Sequence, residues 1–216
     1  MLVLENVSRT PHPAKEVLLD GPEEKDGFPG HGAAEDELLA GCRAGDVAAF
    51  ERLYELHGAR MKSIARNLLG HESEAEDAVQ EAFLKIYRGA AAFRGSATVS
   101  TWIYRILVNT CYDQLRKRKR HPEDPLEAPS GQEEGTLPAA PATDQPLRLS
   151  IEQSLSRLAP RQKTVFLLSA VEGFSHREIA GVLDVSEGAS RTLLFEAKRR
   201  LQDLLWTSGR RGRASA

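Results

Sequence analysis

Two groups of side chains have the types and spacing to engage nucleic acid. The first lies in residues 96–120, SATVSTWIYRILVNTCYDQLRKRKR. Arg105, Asn109, Tyr112, Asp113 and Arg116 fall on one side of a helix, where amide and guanidinium groups can hydrogen-bond. Arg116 to Arg120 then gives five cations in a row that can meet phosphates. The second group is Glu187, Ser190 and Arg191, followed by Lys198, Arg199 and Arg200. This is binding chemistry, not catalysis. The six histidines are scattered, and no HExxH or nucleophile elbow is present. The acids between Glu72 and Asp77 read as favourable charge at a helix N-terminus. Cys42 and Cys111 have no metal-ligand spacing and sit in helical, partly apolar settings, so buried thiols are expected. No metal or cofactor is expected. The competing reading of 96–120 is a core helix whose basic end is only solvated and suits the negative helix C-terminus.

The elements that must position these groups are all helical. In the first group Val99, Trp102, Ile103, Ile106, Leu107, Cys111 and Leu115 form an apolar stripe at spacings of mostly three and four. Upstream, Glu35 to Arg43 makes a short helix with Leu38 and Leu39 inward. Gly45 stops it and Asp46 can cap the next, Ala48 to Leu69, which Gly70 ends. Ser73 to Glu76 has the capping-box pattern for a helix that fades at Gly89. A loop over 90–98 leads into 99–120. Four such helices bury their stripes only against one another, so 35–121 is expected to be one helical domain.

Residues 122–146 hold six of the eleven prolines, six acids and no base, the composition of an extended acidic linker. Residues 147–207 form a second helical module. Leu149, Ile151, Leu155 and Leu158 pattern its first helix, and Pro160 suits the first turn of the second, which runs to Gly173. Ser175 to Glu178 is another capping box, opening a short helix. Asp184-Val185-Ser186 is a tight turn, and Glu187 to Trp206 is the last helix. Short helix, turn and longer helix make a helix-turn-helix over 175–200, whose second helix presents its N-terminal residues to the major groove.

The chain has 216 residues and a net charge of −2, which alone says little for nucleic-acid binding. The charge is segregated. Residues 1–34, read as a flexible acidic tail, carry six acids and three bases; residues 35–121 carry twelve acids and fourteen bases; residues 208–216 carry three arginines and no acid. No segment approaches the ~18 apolar residues of a membrane span, and the N-terminus has no basic-then-apolar signal pattern. A cytoplasmic protein without membrane insertion is expected.

Taken together, the motifs resemble those of bacterial RNA polymerase sigma factors of the extracytoplasmic-function (ECF) group. GDVAAFERLYELHGARMKSIARNLLG, AEDAVQEAFLKIYRGAAAF and STWIYRILVNTCYDQLRKRKR follow one another in the order of the family's domain 2. LSRLAPRQKTVFLLSAVEGFSHREIAGVLDVSEGASRTLLFEAKRRL resembles its domain 4. The likeness covers 35–121 and 147–207, but not the tails or the linker. It implies an all-α fold of two small helical domains. It also implies a non-enzymatic subunit that binds the β and β′ subunits of core RNA polymerase and opens promoter DNA, held in check by an anti-sigma factor.

The resemblance also assigns roles. Asp77, Gln80, Glu81 and Lys85 would dock on the β′ clamp. Ser100, Thr101, Trp102, Arg105, Asn109, Asp113 and Arg116 would line the −10 DNA, with Trp102 a core or wedge residue rather than a stacking platform. The loop 90–98, with Gly95, Ser96 and Ala97, would admit a flipped base. Ser186, Glu187, Ser190, Arg191, Lys198 and Arg199 would meet the −35 element. One departure stands out: Leu193, Phe195 and Glu196 replace the Arg, His and Arg common in the family. That implies weaker or unusual −35 binding, or a contact of Leu193 and Phe195 with an inhibitory partner. Two rivals differ in class. A dimeric helix-turn-helix regulator would bind promoters tightly alone, whereas a helical adaptor would bind no nucleic acid.

Overall fold

The computed structural model describes residues 32–120, 151 and 153–213, and every regular element among them is helical. The tail as far as residue 31, the linker 122–146 and residues 214–216 lie outside the described residues. The first module contains α1 (Gly32–Arg43), α2 (Val47–Leu69), α3 (Glu72–Gly89), a 3-10 turn (Ala90–Ala92) and α4 (Val99–Arg120). After a helical turn at 153–156 come α5 (Pro160–Phe166), which runs into a π turn (Leu167–Val171), then α6 (His176–Leu183) and α7 (Glu187–Arg213).

Local rules account for most boundaries. Asp46 Oδ1 accepts from the Ala48 N–H at 2.9 Å and caps α2. Gly70, at φ 87°, ends α2 with its N–H on the Arg66 carbonyl. Pro160 opens α5. Ser175 and Glu178 make both bonds of a capping box at α6. Asp184 leaves α6 in the left-handed conformation at φ 55°.

Two boundaries differ from expectation. Ser73 does not cap α3. The helix starts at Glu72, whose carboxylate is held by Lys62 at 2.8 Å and approached by Arg66 at 3.8 Å, so ion pairs from α2 anchor this end. The last helix continues past Trp206 to Arg213, with no proline to interrupt it.

The stripes of α1 to α4 converge as their periodicity requires. Leu53, Met61, Ile64, Ile86, Ile103 and Leu107 are at most 1 % exposed. Ala75, Ala78 and Ala82 give α3 a small-residue face that lets α2 and α4 approach closely. In the second module Val165, Leu168, Ile179 and Val182 are buried between α5, α6 and α7. Leu155, Leu158, Ala197 and Leu201 form a smaller cluster beside them.

The two modules share a core. One apolar cluster runs from Leu39 through Leu107 to Ile179 and Leu194. The join is made by α4 against α6, with the ring of Tyr104 edge-on to that of Phe174, centroids 5.0 Å apart. Helix α4 is therefore covered on two sides. That explains why Tyr104, Val108 and Thr110, outside the expected stripe, are as buried as Ile103 and Leu107.

Candidate functional site

The start of α4 is built by three long-range contacts. Glu35, at 1 % exposure, reaches from α1 to the first turn of α4. Its carboxylate accepts from the Ser100 N–H at 3.1 Å and the Ser100 hydroxyl at 2.6 Å, and His57 Nε2 lies 3.3 Å away. Burial pushes the Glu35 carboxyl up, but the bonds from His57 and Ser100 outweigh it and hold it below the usual carboxylate range. A buried carboxylate thus satisfies a free N–H of α4 and favours its positive end. Thr98 Oγ1 accepts from the Thr101 N–H at 3.2 Å and bonds the Thr101 hydroxyl at 2.8 Å.

The loop before α4 is tied down from α1. The Arg43 guanidinium donates to the Ala90 carbonyl at 3.0 Å and the Phe93 carbonyl at 2.6 Å. Trp102 stacks at a tilt on Phe93, centroids 5.0 Å apart, and a methyl group on Gly89 would meet its ring at 3.2 Å. Its ring is engaged by protein on both contacts, in keeping with the core or wedge reading. Gly95, at φ 71°, turns the loop between them.

The polar side of α4 divides in two. Asn109, Asp113 and Arg116 are exposed, and Arg116 pairs with Asp113 one turn away. Ser100 and Thr101, expected to touch DNA, are instead 3 % and 4 % exposed. This corrects the expectation: their hydroxyls are committed to Glu35 and Thr98, so they position α4. Arg105 is half-buried and donates from Nε to the Gly181 carbonyl of α6 at 2.6 Å. In the basic end Arg118 pairs with Glu74 at 3.3 Å, while Lys117, Lys119 and Arg120 are exposed.

On α3, Asp77, Gln80 and Lys85 are exposed and Glu81 is half-buried. Lys85 Nζ pairs with Glu81 at 2.8 Å and donates to Thr110 Oγ1 of α4 at 3.0 Å, which joins this face to α4. Leu84, Tyr87 and Tyr54 beside them expose about half their surface (54 %, 49 % and 52 %), an apolar patch that the sequence reading did not single out.

In the helix-turn-helix, Ser186, Glu187, Arg191 and Arg199 are exposed and Lys198 is half-buried. Ser186 Oγ caps α7 by accepting from the Ala189 N–H at 3.1 Å, and Glu187 lies 3.6 Å from Arg191. Ser190 was expected on the DNA side. It is fully buried, with its hydroxyl 2.9 Å from His176 Nδ1, where it joins α6 to α7. Leu193 also turns inward against the core, whereas Phe195 is 63 % exposed. Glu196 accepts from Gln162 at 3.0 Å.

Cys42 and Cys111 are buried, free thiols, and burial pushes Cys111 up to about 12. Among the described residues no group of three His, Cys, Asp or Glu could hold a metal, and no helix is long and apolar enough to cross a membrane.

Two helical modules, one presenting a polar and cationic helix and the other a helix-turn-helix, define a non-catalytic DNA-binding protein of the transcription machinery. The family descriptions agree: Sigma-70 region 2 matches residues 53–121 and Sigma-70, region 4 matches residues 148–201. The chain is 36% identical over 181 residues to the ECF RNA polymerase sigma factor SigM of Mycobacterium tuberculosis, spanning 83% of this chain and 89% of that protein. Its fold resembles CnrH, solved in complex with the cytosolic domain of CnrY, at a TM-score of 0.63 and 24% identity, covering 81% of this chain and 98% of that one. It also resembles RpoE of Bartonella quintana, solved with the anti-sigma factor NepR, at a TM-score of 0.62 and 24% identity, covering 74% of this chain and 98% of that one. The chain belongs to the ECF RNA polymerase sigma factors. It is a promoter-recognition subunit that works with core RNA polymerase in transcription initiation, and it is not an enzyme.

Proposed function

We propose that three surfaces divide this work. The exposed face of α3, with Asp77, Gln80, Glu81 and Lys85, docks on the β′ subunit, and the adjoining Leu84 and Tyr87 supply apolar area that charged pairs alone would not. Helix α4 lines the −10 element through Arg105, Asn109, Asp113 and Arg116, with Trp102 as a wedge at its start. Helix α7 meets the −35 element through Ser186, Glu187, Arg191, Lys198 and Arg199. Ser100, Thr101 and Ser190 hold these helices in place and touch no base. The domains expected over 35–121 and 147–207 are the units that carry these surfaces, joined through the acidic linker. The protein acts in the cytoplasm, where its polymerase works, and an anti-sigma factor restrains it, as CnrY and NepR accompany the relatives named above.

The observation that carries the assignment of α4 is Asn109, an exposed amide on a helix that is otherwise buried on two sides and ends in five cations. Opening costs unstacking energy of a few kcal/mol per flipped base, which capture by the protein offsets. Run-off transcription with core polymerase tests it. Asn109→Ala is expected to abolish promoter opening, read by permanganate reactivity of the −10 thymines, while co-purification with polymerase is kept. Unchanged opening in that variant removes α4 from the −10 site.

A further inference from the structure

The face of α4 assigned to the −10 element is not open. Arg105 donates to the Gly181 carbonyl at 2.6 Å. That carbonyl belongs to the last turn of α6, where backbone acceptors lack helical partners and the helix dipole is negative, so a guanidinium is a fitting cap. Thr101 lies so close that a methyl group on Gly181 would meet its Cγ2 at 2.7 Å. Around this notch Tyr112 and Thr164 share a hydrogen bond of 2.8 Å, Tyr104 packs on Phe174, and Arg60 lies 3.8 Å from Glu172. Meanwhile Arg191 and Arg199 of α7 face outward.

We infer that Arg105 and Gly181 form an intramolecular latch: in the free protein α6 shields the −10 face of α4, and Arg105 must exchange a protein carbonyl for a phosphate before that face can bind. The inference rests on the assignment of α4 to the −10 element. It adds that the second module, not only a separate inhibitor, keeps the free chain from single-stranded DNA. The two outcomes for the two modules differ. The −35 residues stay accessible in the latched form, and only −10 binding awaits separation. Glycine at 181 is required by the close approach to Thr101, so the latch is a property of this interface and not of helix packing in general.

The test uses the full chain with spin labels at Glu51→Cys and Ala170→Cys, one exposed position on each module; the buried native thiols do not compete. Gly181→Ala opens the latch sterically, and alanine favours the helix it sits in, so α6 keeps its fold. Arg60→Glu opens it independently by placing a like charge against Glu172. The probe is a fluorescent oligonucleotide of the non-template −10 strand from a promoter chosen by run-off transcription. The wild-type chain is expected to give one short label distance and weak binding. Both variants are expected to lengthen the distance and bind the oligonucleotide at least about tenfold tighter, while duplex −35 binding stays constant. A wild-type chain that is already open, or opened variants that bind no tighter, overturns the latch. If the polymerase-bound chain also ignores the oligonucleotide and Asn109→Ala still opens promoters, the assignment of α4 has failed and takes the latch with it.

Discussion

Replacing Glu35 by alanine measures how much the start of α4 depends on α1. The carboxylate is almost wholly buried and serves the Ser100 N–H, the Ser100 hydroxyl and His57. Hydrogen bonds to a charged group contribute about 1.5–3 kcal/mol each, and truncating one partner of a buried charged set costs about 3–5 kcal/mol because the others remain unpaired. These contacts are coupled and do not add, and the variant also avoids burying the carboxylate. We therefore expect a loss of about 3 kcal/mol, roughly 6–12 °C in Tm for a chain of this size. The pH dependence separates charge from packing. The folded carboxyl titrates below its ordinary value of 4.5, so the unfolded chain binds the proton more readily. Its stabilisation is complete above that ordinary value and is lost as pH falls through the depressed one. Glu35→Gln keeps an acceptor but no charge, so its deficit against the wild type should shrink as the solution is acidified from pH 6 to below pH 4. Thermal melts followed by circular dichroism at 222 nm supply both quantities. A loss under about 1 kcal/mol at pH 7, or a deficit that stays constant with pH, refutes the reasoning.

Other outcomes follow from single contacts. Ser190→Ala should lower stability by about 1 kcal/mol in urea titrations and leave −35 binding unchanged, because its hydroxyl is spent on His176; a change in DNA sequence preference would return it to the DNA face. Leu107→Ala, at the centre of the shared cluster, should cost about 2–5 kcal/mol, measured by the same titration. Cys111 should resist iodoacetamide near neutral pH in the folded chain and react on unfolding, since its thiol is buried and held up to about 12; mass spectrometry showing rapid native labelling would contradict its burial.

What could be read from the sequence follows from the range of each interaction. Asp46, Gly70, Pro160 and the Ser175–Glu178 pair act on backbone within a turn or so of themselves, and each sits where its local chemistry demands. Ser73 shows the limit even at short range: an ion pair from another helix decided where α3 begins. The larger misses concern partners far apart in the chain. Glu35 and Ser100 are 65 residues apart, and Arg105 and Gly181 are 76 apart. Periodicity identifies a polar side of α4 but not what lies against it, so Ser100, Thr101 and Arg105 looked alike as DNA ligands although protein holds all three. Ser190 failed for the same reason, with His176 as its unseen partner. Only an odd feature, such as an acid in an otherwise well-packed helix at Glu35, hinted at a buried role.

The apolar cluster that spans both modules has a price when they part. Tyr104, Phe174 and their neighbours, dry in the closed form, would then face water, and such patches invite self-association and cleavage by proteases. A parted chain is therefore short-lived unless polymerase covers what it uncovers. Abundance and activity become linked: molecules that open without a host enzyme are the ones removed, which keeps background initiation low at no cost in regulatory protein.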